Sequence, residues 1–245
     1  MTRGRAAAAC AAEMHAGERL RMALIDDRHA WLERLAACTD GEVAHVGCAD
    51  SPHTAELLAG GALLHERLVR VARVTGIDVD GAALELIAAG LGGERLLELD
   101  ISLEVPDAER RRYSLVIAGE VLEHVPDADL FLRGCLELLA AGGRLCVSVP
   151  NACCPKIGLR ALAGRESVHP DHRVYYGPRT LTRTLAGAGF EPEFIASCFP
   201  PGAGLAGRLL LNPLLRRAHR AAQGPVGDGL IAIASARANA SAIAS

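Results

Sequence analysis

Glu120-Val121-Leu122-Glu123-His124 sets two carboxylates and an imidazole at positions i, i+3 and i+4. If a helical turn starts at Glu120, those positions share one face and the three side chains project together. Such a group can ligate a divalent cation, or its histidine can take a proton as a general base. Far along the chain, HPDHRVYYGPRTL (169–181) supplies His169, Asp171 and His172 just ahead of a further helical stretch. A cation that chelates two neighbouring oxygens positions a hydroxyl and lowers its pKa together. The chemistry these residues suit is therefore cation binding or proton transfer at a bound group.

Three other short stretches carry groups suited to holding a ligand. In VGCADS, Gly47 lets a backbone come close to a bound molecule. In GIDVD, Asp78 can accept hydrogen bonds from ribose hydroxyls. In LELDIS, Asp100 can accept from an adenine amino group while the backbone of Ile101 reads the ring edge. Either aspartate alone is as readily a helix cap or turn former. Their joint placement after successive apolar runs favours a shared site.

Those groups need a scaffold, and apolar periodicity supplies it. Strands are expected at 42–50, 72–80, 96–102, 113–120, 144–151, 190–197 and 229–236. YSLVIAGE (113–120) is almost wholly apolar, as a strand covered on both faces should be. Helices are expected at 6–37, 54–70, 81–89, 128–140 and from Pro178 to Ala188, with 152–177 a polar connection. This alternation predicts an α/β fold: a doubly wound, mostly parallel seven-stranded sheet with helices on both faces. In such sheets ligands sit beyond the carboxyl ends of the strands, where the strand order reverses. Residues 1–38 read as an N-terminal helical extension, 39–237 as the main domain and 238–245 as a tail. The segment 200–225 is an insertion whose leucines suit core packing, a cap over the substrate or a homodimer contact.

Bulk properties narrow the partners. A net charge of −3 gives no support to a dominant polyanion ligand, and Lys156 is the only lysine among many arginines. The eight cysteines contain no CxxC pair, and several lie in apolar runs as small hydrophobes. Reduced thiols in a cytoplasmic protein are the simplest expectation. No apolar run reaches the roughly 20 residues of a membrane span.

Over roughly residues 40–200 the chain resembles the class I S-adenosylmethionine (SAM) dependent methyltransferases: a glycine-bearing loop, two acidic strand ends, then an apolar strand ending in AGEVLEHV. The resemblance implies a Rossmann-like methyltransferase fold and SAM as cofactor. Gly47 would hold its methionine part, Asp78 its ribose, and Asp100 with Ile101 its adenine. The first loop departs from the family's acidic-x-Gly-x-Gly-x-Gly pattern, reading His45-Val46-Gly47-Cys48-Ala49-Asp50-Ser51. Positive φ at Ala49 or Ser51 would cost energy that glycine avoids.

The motif Glu-x-x-Glu-His with a distal histidine resembles a subset of these enzymes, the small-RNA 2′-O-methyltransferases and the ubiquinone-pathway O-methyltransferases. It implies a magnesium site at Glu120, Glu123, His124 and His172, with His124 also placed to act as catalytic base. The same stretch occurs in methyltransferases where no metal takes part and the histidine lines the cofactor pocket. The implied activity is O-methylation of a hydroxyl on a small molecule or glycan precursor. A second reading is RNA 2′-O-methylation. It draws on Arg160, Arg165, Arg173, Arg179, Arg183, Tyr175 and Tyr176 near the presumed site, but the net acidic chain disfavours a nucleic acid partner. A third, favoured by the glycine-poor loop, is a non-catalytic binding subunit on the same fold.

Overall fold

The computed structural model describes residues 22–166, 169–199 and 212–237. Its strands are β1 (Ala23–Ile25), β2 (Glu42–Val46), β3 (Arg73–Asp78), β4 (Arg95–Glu98), β5 (Tyr113–Gly119), β6 (Leu139–Pro150), β7 (Phe190–Cys198) and β8 (Gly229–Ala236). They form one sheet in the order β1-β7-β8-β6-β5-β2-β3-β4. Only β8 runs against its neighbours, pairing antiparallel with both β6 and β7. The order reverses between β5 and β2, whose parallel register aligns Val46 with Ala118. The expected doubly wound sheet is present, with eight strands in place of seven.

The additional strand lies where a continuous helix over 6–37 was expected. Residues 1–21 fall outside the described residues. Ala23–Ile25 pairs along Ala196–Cys198 of β7, and helix α1 (Arg28–Ala37) starts only after Asp27 accepts the N–H of Ala30 at 3.0 Å. An open sheet edge satisfies three backbone units at once, and the Asp cap fixes where helix can begin. Trp31 of α1 stacks on Phe194, ring centroids 6.0 Å apart.

Two further corrections are local. The helix expected over 54–70 is broken into α2 (Thr54–Ala59) and α3 (Leu64–Val69) by Gly60-Gly61, with Gly61 at φ +60. Within the supposed polar connection, Pro155 opens helix α6 (Pro155–Leu162), a position where its missing N–H costs nothing. Helices α4 (Gly81–Leu91), α5 (Ala128–Leu138) and α7 (Pro178–Gly187) stand close to expectation. Of the 200–225 insertion, 200–211 lie outside the described residues. The remainder holds α8 (Asn212–Ala222), whose Leu215 is buried with Phe199 and Val226.

Both sheet faces are covered. Phe131, Leu132 and Leu138 of α5 and Leu181 of α7 pack on one side; Leu32 and Ala36 of α1 and Leu64 and Leu68 of α3 pack on the other. All seven described cysteines are free thiols, and five of them are buried. No described helix is long and apolar enough to cross a membrane.

One polar cluster interrupts this packing. His29 of α1, His45 of β2 and His65 of α3 are all buried, and Nδ1 of His45 lies 3.3 Å from Nδ1 of His65. One of these nitrogens donates and the other accepts, so at least one ring of the pair must stay neutral. Burial lowers the pKa of His65 to about 4, and burial with the nearby Arg28 and Arg67 charges lowers that of His29 to about 4. Since the unfolded chain titrates near 6.5 and takes up protons first, stability is full above that pH and falls as pH drops towards 4. Each histidine then costs roughly 3 kcal/mol by pH 4. Urea unfolding at pH 7.5 and 4.5 should show this loss, and His65→Gln should remove about one proton's worth of the slope. Stability independent of pH across that range would contradict it.

Candidate active site

The carboxyl ends of β5, β2, β3 and β4 lie side by side and bring four loops to one edge. The loop after β2 is built around Gly47, at φ +74, where a Cβ would meet Val121 Cγ2 at 2.2 Å. That contact seats the first loop directly against the turn after β5. Ala49 and Ser51 avoid the left-handed region; the one non-glycine residue of the loop to enter it is Asp50, at φ 55. Aspartate tolerates that conformation better than most residues. The loop thus closes with one glycine, and strain at Ala49 or Ser51 does not arise. His45, in place of the family's acidic residue, points into the buried histidine pair and away from this edge's chemistry.

Asp78, at the end of β3, ties the neighbouring loops. Its Oδ2 accepts from the N–H of Ala49 at 2.9 Å and its Oδ1 from the N–H of Asp80 at 3.0 Å. A carboxylate has about four acceptor positions, so two such bonds leave capacity for a diol. Asp100 is exposed beyond β4 and accepts the N–H of Ser102 at 2.9 Å. Ile101 is buried, held from behind by Gly134 of α5, where a Cβ would lie 2.0 Å from the Ile101 carbonyl oxygen.

The turn after β5 begins one residue later than its spacing suggested. The N–H of His124 donates to the Val121 carbonyl at 2.9 Å, while Glu120 stands outside the turn at φ 57. Ligand atoms of Glu123, His124 and His172 therefore lie within 4.8 Å of one another. Glu120 is drawn elsewhere, into an ion pair with Arg28 of α1. Backbone bonds bring in the distal segment: the N–H of Arg173 donates to the Glu123 carbonyl at 2.8 Å. Nδ1 of His124 lies 3.2 Å from the Asp171 carbonyl, an acceptor only, so that nitrogen carries the hydrogen and Nε2 keeps its lone pair. The His124 and His172 rings meet edge to face, centroids 4.6 Å apart, with His169 5.1 Å from His172.

Glu123 is fully buried, yet neither carboxylate oxygen has a hydrogen-bond partner. Burial, and then the adjacent Glu120 charge, push its pKa up to about 8. Nδ1 of His172 is likewise buried and unpartnered, and its pKa is lowered by burial and by His124. An unpaired buried carboxylate costs several kcal/mol unless it is protonated or meets a cation. One carboxylate and two imidazoles converging on a point suit a divalent ion, so the donor set fits one. Arg28 was absent from the sequence reading of this site. In the sequence it stands inside the helix expected over 6–37, with nothing that marks it as a partner of Glu120.

A reversed-order parallel sheet with a glycine turn, two acidic strand ends and a carboxylate–imidazole turn on one edge is the framework of a cofactor-dependent transferase. The family described as "Methyltransferase domain" matches residues 18–193. The chain belongs to this family as a class I SAM-dependent methyltransferase. It is 33% identical over 186 residues to the ubiquinone biosynthesis O-methyltransferase of Nitrosospira multiformis, covering 71% of this chain and 73% of that one. Against the protein of the same name from Chelativorans sp. strain BNC1 it is 32% identical over 176 residues, covering 64% and 68%. The solved structure of a SAM-dependent methyltransferase from Archaeoglobus fulgidus shares the fold at a TM-score of 0.51 and 15% identity, covering 84% of this chain and 91% of that one.

Proposed function

We propose that the chain transfers the SAM methyl group to a hydroxyl of a small molecule bearing neighbouring oxygens, with a divalent cation held at Glu123, His124 and His172. The observation that carries this reading is the buried Glu123 carboxylate, unpartnered and facing two imidazoles. Relatives named as ubiquinone biosynthesis O-methyltransferases support oxygen as the acceptor atom. A glycan precursor with a sugar diol fits the same chemistry.

Asp78 takes the ribose hydroxyls on its remaining lone pairs, and Gly47 admits the methionine part. Asp100 and the Ile101 backbone take the adenine, with exposed Val79 as apolar surface beside it. The cation supplies positive charge that lowers the acceptor's pKa, and SAM supplies the electrophilic methyl. Within the chain, Glu123 and His172 orient the acceptor oxygen in line with the carbon–sulfur bond. The carbon–oxygen bond forms as the carbon–sulfur bond breaks, and the hydroxyl proton must go to a base. His124 has one lone pair, at Nε2. Were it to hold a cation it could not take the proton, and His169, its ring 6.2 Å from that of His124, would be the imidazole left outside the cluster to accept it. Without a cation, His124 takes the proton itself.

A labelled-methyl assay on catechol, sugar-nucleotide and short RNA acceptors tests the assignment. Transfer to the first or second class is expected. Transfer to RNA alone would establish the ribose reading. Transfer to none, with no SAM binding by calorimetry, would leave a non-catalytic subunit.

A further inference from the structure

Arg28 is half-buried at the start of α1, with its backbone N–H donating to the Phe199 carbonyl at 3.1 Å. Its guanidinium is ion-paired with Glu120. The pair sits beside Val121, the residue that abuts the Gly47 loop. Glu120 itself holds a left-handed backbone that few non-glycine residues adopt, its N–H donating to the Ser148 carbonyl at 2.8 Å. Its carboxylate is near enough to Glu123 to affect that group's ionisation, yet it takes no part in the Glu123–His124–His172 cluster. Glu120 is therefore held by one permanent cation and stands next to the cluster where a second cation would bind.

We infer that Arg28 is an internal counter-ion that competes with a divalent cation for Glu120 and so holds the cation affinity of the site down. The inference rests on the proposed cation site. A carboxylate neutralised by guanidinium gives little to a second positive charge, whereas a released one adds a negative ligand or a near neighbour. Because Arg28 enters from α1, the segment that carries β1 and α1 sets the affinity of a site built by β5 and the loop before α7. Arg28 is thus a positioning residue, acting through Glu120.

Calorimetric titration of Mn2+ into the full chain, with no SAM or acceptor present, tests this. Arg28→Met should bind Mn2+ about tenfold more tightly than the parent, since the ligand set gains a free carboxylate. Arg28→Lys, which keeps a charge and shields against loss of folding, should fall between the two. Adding Glu120→Gln to Arg28→Met should abolish the gain, because the coupling runs through that carboxylate. Equal affinity of parent and Arg28→Met, or a gain that survives Glu120→Gln, overturns the inference and leaves the cation site standing. Failure of parent and all variants to bind Mn2+ overturns the site and the inference together.

Discussion

Glu123→Ala is expected to lower kcat for methyl transfer about 10²- to 10³-fold while changing SAM affinity by less than about threefold. The reason is geometric. Glu123 is the one carboxylate in the three-residue cluster, and the SAM contacts are assigned to other strand ends. Stability should respond in an unusual direction. Removing a buried carboxylate that has no hydrogen-bond partner relieves a desolvation cost, so the variant should melt no lower than the parent when divalent cations are absent. Excess magnesium should raise the melting temperature of the parent and leave the variant unmoved. Steady-state kinetics with thermal melting, each with and without magnesium, check both arms. A variant with full turnover would remove Glu123 from the mechanism.

Asp78→Ala carries the second large effect, on cofactor affinity. The carboxylate accepts from Ala49 and Asp80, so its loss releases two backbone donors and unties the single-glycine loop from β3. Hydrogen bonds to a charged acceptor are worth about 1.5–3 kcal/mol each. Together with the lost ribose contacts, the dissociation constant for SAM should rise at least about 100-fold. Asp78→Asn keeps one acceptor oxygen and should lose roughly tenfold. Calorimetry with SAM or its demethylated product measures both. An unchanged constant for Asp78→Ala would move the ribose site elsewhere.

The strands at the centre of the sheet were legible because their apolar runs are continuous and bounded by turn residues. β5 is the plainest example: its Leu115–Ala118 core is buried between β2 and β6. β1 was not legible. Three residues of Ala-Leu-Ile carry no period of their own, and only the open edge of β7, far away in the chain, makes them a strand. The break between α2 and α3 was written in Gly60-Gly61, a signal outweighed by the helical pattern on either side.

At the site, spacing put Glu123 and His124 together and the family resemblance added His172, and those three side chains do converge. Spacing misplaced Glu120, because the i to i+3 argument assumes helical backbone at residue i, and Glu120 is left-handed. Its partner Arg28 is distant in sequence, and ion-pair choice depends on tertiary contact. The His45–His65 pair was hidden for the same reason: a histidine at the family's acidic position reads as a substitution until its buried partner is seen.

The Glu123–His124–His172 cluster either activates the acceptor oxygen with a cation or leaves that work to His124 alone. Labelled-methyl transfer to a catechol should be measured on one preparation as purified, after chelation and dialysis, and after magnesium is restored. Transfer should fall by at least about tenfold on chelation and return with magnesium, while SAM binding persists throughout. Transfer that is undiminished after chelation would contradict the cation's role and return His124 to the part of a simple base.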